Sequence, residues 1–548
     1  MLSQRIRIAA PICRLARAMS SSSPTGRGYN VRLQYSPHNA HPSRSLTTGH
    51  WVPLLVDVVQ DAVKALNSLA SNATLLSQLR NSSYMNQVSI PEMHQLLERI
   101  GVKATDLNSL NVVHVTGTKG KGSTCAFVDS ILREHGVQTL LYTSPHLVRV
   151  QERIRLHGKP VGSDLFAKYF WAVWSKLEAT KNSTNLIGAS MPSYFRYLTL
   201  MTFLMALETK ASSSCCCFGI GGSYDATNVV PAPTVCGITT MGYDHVNVLG
   251  NTLTSITTHK AGIIKHGVPI VSAKQESDEA TMVIRDTAQR MNAPLTIARP
   301  LSQAFSNGLQ ATLGLNGDHQ QMNAAVAAQI AQIWLGKHRP EAALKEGVLS
   351  RPFLDGLAKC RWPGRNQTAI HSSNSNIRLW LDGAHNIESL TACASWISSK
   401  IASGAANRER RYLMFNCSHD RDVKTLLKPL VQAHLRHPFD GVVFSPNIVK
   451  KSSAYHDIDT SNNQPDDFDA QAWIDANAGI WRQLVQELGG QSTTTNGFLT
   501  IDDALEWLAA EQVRQSADQK KPVQFEFFAT GSLHLVGGVL RALEIPID

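Results

Sequence analysis

The chain is 548 residues long, more than a single typical domain, and its 43% apolar content is enough for sizeable cores. The formal charge of +10 misdescribes the body of the protein: residues 1–50 hold seven arginines and neither lysine nor acid, which leaves about +3 for the remainder. A near-neutral body without a basic helix argues against nucleic-acid binding. No apolar run reaches membrane-span length, so no membrane insertion is expected. Nine cysteines without a Cys-x-x-Cys pair suggest neither a zinc ribbon nor a disulfide framework.

Residues 1–50 read as a mitochondrial presequence followed by a disordered segment. Ile6, Ile8, Ile12 and Leu15 alternate with Arg5, Arg7, Arg14 and Arg17, and a Ser/Pro/Gly/His-rich stretch follows. The expected location is the mitochondrion, in the matrix or at the inner membrane. A start at Met19 would add a mostly tail-less cytoplasmic form, whereas one at Met85 would remove part of the first domain. Val56, Val59, Ala62, Val63 and Leu66 then fall at helical spacing, and a second helix over Pro91–Ile100 ends at Gly101.

Leu110–Val115 reads as a short buried strand and Cys125–His135 as a helix with Phe127, Val128, Ile131 and Leu132 on one face. Between them lies Gly117-Thr118-Lys119-Gly120-Lys121-Gly122-Ser123. Strand, glycine-rich turn and helix form a phosphate-binding geometry. Glycines let the backbone approach phosphate, and the helix N-terminus supplies positive field. Lys121 would reach the β- and γ-phosphates of ATP. The spacing is not the usual Walker pattern, because Gly122 separates Lys121 from Ser123.

This loop resembles the ATP loop of folylpolyglutamate synthases, members of the Mur ligase superfamily, and the resemblance continues for most of the chain after about Val56. It implies an α/β architecture with two domains. Residues 51–355 would form a P-loop, Mur-ligase-type ATP domain with a mainly parallel sheet. Residues 356–548 would form a Rossmann-like C-terminal glutamate-ligase domain. The alternation of strands and helices supports both halves. In the first, Val137–Tyr142, Val235–Thr240, Val268–Ser272 and Leu295–Ala298 read as strands. Leu165–Leu177, Tyr194–Leu207, Asp318–Trp334 and Glu341–Leu349 read as helices. In the second, strands at Ile377–Leu381, Tyr412–Phe415, Val442–Phe444 and Phe525–Ala529 alternate with helices at Ser389–Ile401, Val423–Ala433, Ala470–Leu488 and Ile501–Arg514. No Gly-x-Gly-x-x-Gly follows the first strand of this half, which argues against a dinucleotide site.

The resemblance also implies a reaction: MgATP-dependent addition of L-glutamate to the γ-carboxyl of tetrahydrofolate (poly)glutamates through an acyl phosphate, by a monomer. A monovalent cation such as K+ is compatible with it. Thr143-Ser144-Pro145-His146 matches a stretch whose serine contributes to magnesium binding, which carries over to Ser144. Gln151-Glu152-Arg153-Ile154 resembles the family's long active-site loop, and the Leu66–Ala73 region its pterin-side loop. Tyr243-Asp244-His245 and His259-Lys260-Ala261-Gly262 match a block in which the His binds metal and the Lys carries a metal-bridging carbamate, here His245 and Lys260. A carbamate turns a cation into an oxygen ligand suited to Mg2+. Gln320 and Asn323 match a stretch near the nucleotide. Arg365 of Arg361-Trp362-Pro363-Gly364-Arg365 matches an arginine that crosses to the ATP phosphates. In Asp382-Gly383-Ala384-His385-Asn386, Asp382 matches an ATP contact and His385 a residue of the incoming-glutamate site. Ser532, at a strand–turn–helix start, is the other glutamate contact expected. Catalysis would rest on Lys121, Lys260 and His385.

One departure stands out. The family carries a magnesium-binding Glu two residues before its second glycine-rich run, and here that position is Cys217. A thiol is a poor Mg2+ ligand. The preceding Ser212–Cys216 stretch reads as too polar for a central strand. Either the metal site is impaired or the translated sequence departs here from a functional one. Two alternatives therefore stand beside the main reading: a dihydrofolate synthase acting on dihydropteroate, and a catalytically impaired paralogue.

Overall fold

The computed structural model describes residues 51–69, 83–209, 213–217, 222–244, 246–344, 347–404, 410–418, 421–449 and 468–547. The presequence expectation, the 70–73 part of the pterin-side loop and His245 lie outside them. Among the described residues, no helix is long and apolar enough to cross a membrane.

Two sheets organise the chain. The first contains β1 (Val113–Thr116), β2 (Thr139–Tyr142), β3 (Ile154–Leu156), β4 (Lys159–Pro160), β5 (Ser213–Cys217), β6 (Val235–Ile238), β7 (Ile270–Ser272) and β8 (Leu295–Ile297). Their order is β4-β3-β2-β5-β1-β6-β7-β8, parallel throughout except for β3 and β4 at one edge. The second contains β9 (Gln367–His371), β10 (Asn374–Leu381), β11 (Arg410–Phe415), β12 (Gly441–Phe444), β13 (Thr494–Gly497) and β14 (Phe525–Thr530) in the order β13-β12-β11-β14-β10-β9, with β9 alone antiparallel. β1 and β14 are central and carry continuous buried runs, as strands covered on both faces must.

β1 leads into the helix Lys121–Glu134, whose Phe127, Val128, Ile131 and Leu132 are buried against helix His319–His338 and helix Arg351–Lys359. Each such side chain contributes about 1.5–3 kcal/mol by leaving water. Asp129 on the same helix is buried yet satisfied, accepting from Thr139 Oγ1 and pairing with Arg133 at 2.8 Å. That polar tie fixes the phosphate helix against the start of β2.

Three differences from the sequence reading have physical causes. Ser213–Cys217, expected to be too polar for the interior of a sheet, is placed as the central strand β5 between β2 and β1, with Cys217 in register with Val115. The ladder is made by backbone groups, whatever the side chains. The helix expected over Glu341–Leu349 is only a short turn at Pro340–Ala342, and the helix comes later, at Arg351–Lys359. Ser350 precedes its start and Pro352 sits in the first turn, where a missing N–H costs nothing. This helix runs through residues 355 and 356 and packs on the phosphate helix. Third, β9 and β13 are strands that the sequence does not announce, because their half-exposed, largely polar residues lack an apolar signature.

Candidate active site

The C-terminal ends of β1, β2, β10 and β14 converge on one cleft of about 780 Å3, bordered by both sheets. This is where open α/β sheets hold ligands. Thr118, Lys119, Gly120, Lys121, Gly122 and Ser123 of the glycine loop line it on one side, with Ser144 and Asn323. Arg365, Asp382, His385 and Ser532 line it from the other. Residues more than four hundred positions apart thus line one volume. Gly117 is at the turn leaving β1, behind this surface.

The loop's shape follows from its glycines. Gly120 is left-handed, with φ 84°, and a Cβ there would lie 2.1 Å from Asn323 Oδ1. Asn323 is held in turn, donating to Gln320 Oε1 at 2.9 Å. Thr118 and Lys119 donate their backbone N–H groups to the Thr240 carbonyl at 2.9 and 3.1 Å, which docks the loop on the segment after β6. Lys121 Nζ turns back to the Gly117 and Thr118 carbonyls at 2.8 and 3.1 Å. A phosphate entering the loop would compete for that ammonium.

Lys119 sits 3.9 Å from Asp244 Oδ2, and Asn386 Nδ2 donates to the same oxygen at 3.5 Å, so Asp244 links the glycine loop to the second sheet's side of the cleft. Burial pulls the Lys119 ammonium down to about 8 against the attraction of Asp244 and Glu388. Lys260, on the helix Leu253–Ala261, is buried beside the cleft rather than open to it. Burial, reinforced by Lys121, brings it down to about 7 against the pull of Asp244 and Asp225.

Across the cleft, Asp382 accepts from the backbone N–H groups of Asn366 at 2.8 Å and Ala384 at 3.0 Å. Burial pushes its carboxyl up, while the Arg365 guanidinium beside it pulls the other way. His385 Nδ1 donates to the Gly383 carbonyl at 2.9 Å, which leaves Nε2 as an acceptor. Burial lowers this imidazole to about 4, so it is neutral. Ser532 caps the helix Leu533–Ala542, its Oγ accepting from the His534 N–H at 3.1 Å. Ser144 Oγ accepts from Arg153 Nη1 at 3.0 Å.

Of the metal residues expected, Ser144 lines the cleft, Lys260 is buried beside it, and His245 lies outside the described residues. Cys217 ends β5, in register with the strand that feeds the glycine loop. Among the described residues no group of three or more His, Cys, Asp or Glu side chains could hold a metal ion. Ser123, Ser144 and Asp244 nevertheless line the same cleft, and hard oxygen donors suit Mg2+. Sequence reasoning did not single out Lys274, Glu276, Glu388 or Arg421, which also line the cleft. They stand in ordinary polar loops or helix starts, without motif spacing to mark them.

No family model matches the chain. It is 36% identical over 555 residues to the mitochondrial folylpolyglutamate synthase of Bos taurus, covering 88% of this chain and 92% of that one. It is 35% identical over 515 residues to the folylpolyglutamate synthase of Candida albicans, covering 89% of this chain and 96% of the relative. Among solved structures, Mycobacterium tuberculosis folylpolyglutamate synthase complexed with ADP and AMPPCP superposes with a TM-score of 0.65 at 22% identity, covering 86% of this chain and 100% of that one.

Proposed function

Because the chain belongs to the folylpolyglutamate synthase family of ATP-dependent ligases, we propose that it adds L-glutamate to the γ-carboxyl of tetrahydrofolate and its polyglutamates. The observation that carries this reading is the single cleft in which a glycine-rich phosphate loop faces Arg365, Asp382, His385 and Ser532. A phosphoryl donor on one side and an amine donor on the other can meet there.

The chemistry has two steps. A γ-carboxylate oxygen of the folate attacks the γ-phosphorus of ATP, the bond to the bridging oxygen breaks, and ADP leaves. Glutamate's ammonium first gives up a proton through the His385 Nε2 acceptor, the neutral amine nitrogen then attacks the acyl carbon, and the tetrahedral adduct expels phosphate, which takes up the nitrogen's second proton. Lys121 and the N-terminus of helix Lys121–Glu134 supply positive charge to the transferring phosphoryl group, and Arg365 supplies more from the opposite wall. Asp382, anchored by two backbone N–H groups, attracts the Arg365 guanidinium electrostatically from the same wall. His385 Nε2, free to accept, orients the incoming ammonium, and Ser532 at its helix start holds a glutamate carboxylate. Enclosure between the two sheets keeps water from the acyl phosphate.

Ser123, Ser144 and Asp244 are the described residues that would hold Mg2+, with His245 and a Lys260 carbamate completing the set. When bound, the ion would neutralise phosphate charge. A neutral amine is the form that attacks carbon dioxide, and burial of Lys260 favours that form. The cysteine at 217 favours a second reading, a ligase with weakened metal binding. The arginine-rich residues 1–50 support delivery to mitochondria, as do the names of mitochondrial relatives, with a cytoplasmic form from Met19.

Incorporation of labelled glutamate with tetrahydrofolate and, separately, dihydropteroate as acceptor tests the assignment. Turnover on tetrahydrofolate with MgATP is expected. Turnover on dihydropteroate alone would make the chain a dihydrofolate synthase, and none on either would make it an impaired paralogue.

A further inference from the structure

Gly122, which breaks the usual spacing between the loop lysine and its hydroxyl, has no part in the reaction above. The structure places a tryptophan against it. A Cβ at Gly122 would lie 3.0 Å from Nε1, 3.5 Å from Cε2 and 3.6 Å from Cζ2 of Trp362. Both residues line the cleft. A β-carbon there would press on the indole edge, and the ring would have to give by a few tenths of an ångström. The ring is held from elsewhere too. Its centre lies 5.2 Å from the guanidinium carbon of Arg155, which donates to the Gly158 carbonyl at 3.1 Å and the Ile547 carbonyl at 2.9 Å.

Trp362 lies in the segment that joins helix Arg351–Lys359 to β9, three residues before Arg365. The second unit holds this segment through its backbone: the Gly383 N–H donates to the Gly364 carbonyl at 2.9 Å, and the Asn366 N–H to Asp382 at 2.8 Å. The first unit holds it at two points that flank Arg365. Before it, Trp362 sits on Gly122. After it, Asn366 and Asn316 donate their side-chain amides to each other's carbonyls at 3.0 and 3.2 Å. Among the described residues the Arg365 guanidinium hydrogen-bonds only to the Gly364 carbonyl, at 3.5 Å. Its long side chain is therefore aimed mainly by the backbone that carries it. Gly122 lies in the first turn of the phosphate helix, beside Lys121. The indole thus ties the wall that carries Arg365 to the loop that Arg365 faces.

We propose that Trp362 is a positioning residue for the ligase reaction: seated on Gly122, it sets the separation between the joining segment and the glycine loop at which Arg365 meets the terminal phosphate of the nucleotide. The proposal rests on the ligase reading of the cleft and adds to it the residue that aims Arg365. It also gives the glycine after Lys121 a reason, since that position must leave room for the indole edge.

The test measures the affinity of the full-length chain for AMPPCP and for ADP, whose ratio reports the hold on the terminal phosphate, together with glutamate incorporation. Arg365→Gln should lower the preference for AMPPCP on the order of tenfold. Trp362→Ala should lower it by a similar factor, leave ADP affinity within about twofold, and reduce kcat rather than raise the KM for L-glutamate. In the Arg365→Gln background Trp362→Ala should add almost nothing, because the residue it acts through is already gone. Additive losses would mean that Trp362 acts independently of Arg365 and would overturn the proposal, as would an unchanged ratio in either single variant. Trp362→Phe keeps a ring on Gly122 and should recover most of the preference, whereas a loss equal to that of Trp362→Ala would overturn the proposal. Gly122→Ala should lower the ratio when Trp362 is present and cost little once Trp362→Ala has removed the ring. An equal cost in both backgrounds would mean that Gly122 serves the phosphate alone, and would overturn the seat. If Trp362→Ala fails to fold, Trp362→Leu takes its place in the same comparison. The ratio needs no turnover, so a chain that incorporates no glutamate but shows the coupled loss would contradict the proposed function and leave Trp362 standing.

Discussion

Lys121 and Lys260 are both cations in the sequence, and the structure gives them different chemistry. Lys121 contacts carbonyls of its own loop at the cleft surface, so Lys121→Ala should leave the fold intact and remove charge from the phosphoryl path. Glutamate incorporation should fall on the order of a hundredfold or more while the melting temperature barely moves. Near-normal incorporation would place the phosphate site elsewhere. Lys260 is buried and lowered to about 7, so above that pH its amine is mostly neutral and open to carbamylation. As pH falls below about 7 the ammonium dominates and the adduct should be lost, taking activity with it. Lys260→Ala should be inactive, and bicarbonate with a short carboxylic acid should restore part of the rate. Failure of that rescue, with no adduct in native mass spectrometry, would remove the bridging role. The glycine-loop spacing made Lys121 legible, whereas Arg365, Asp382 and His385 were reached through the family resemblance.

At the scale of elements, the strands with continuous apolar runs were readable and β5 was not. Ser-Ser-Cys-Cys-Cys carries no periodic signal, yet Ser213–Cys217 is hydrogen-bonded on both sides, to β2 and to β1. A central parallel strand is specified by its neighbours' backbone as much as by its own side chains. This alters what a repair requires. With the strand already present, Cys217→Glu by itself should place a hard oxygen donor at the C-terminal end of β5, next to the strand that feeds the glycine loop. The expected result is a lower Mg2+ concentration for half-maximal activity in Cys217→Glu than in the unaltered chain. If the unaltered chain already shows ordinary Mg2+ dependence and Cys217→Glu leaves it unchanged, another residue supplies the ligand. The helices were read well in their middles and poorly at their ends, since Ser163–Ala179 and His319–His338 both extend into polar turns that carry no apolar period.

For the whole molecule, the two β-α series were apparent from the sequence, but the way they join was not. Leu147 and Val148 leave the end of the β2 loop and are buried among Ile377, Leu379, Val536 and their neighbours in the second unit's core. Arg155 spans the same junction, donating to the Ile547 carbonyl at 2.9 Å and lying 5.2 Å from the centre of the Trp362 ring. No periodicity announces such a plug, because it is two residues long. A close approach falls at Gly537, on the helix that Ser532 caps, where a Cβ would lie 2.0 Å from the Leu147 carbonyl oxygen. Backbone meets backbone there, so no side-chain rotation relieves the clash. In Gly537→Ala the helix and the Ser144–Val148 loop must move apart. Ser532 would retreat from the phosphate side, while the glycine loop, which docks on Thr240 in the first unit, would stay where it is. A displacement of about 1 Å is enough to cost on the order of a hundredfold in rate when two reactants must meet. Gly537→Ala should therefore bind AMPPCP with little change, lose most of its glutamate incorporation, and melt at a lower temperature by an overpacking cost of about 1–3 kcal/mol. Equal losses in nucleotide binding and ligation would mean that the junction supports the glycine loop itself. Retention of both would mean that the two units do not need this contact to align an acyl phosphate with its amine.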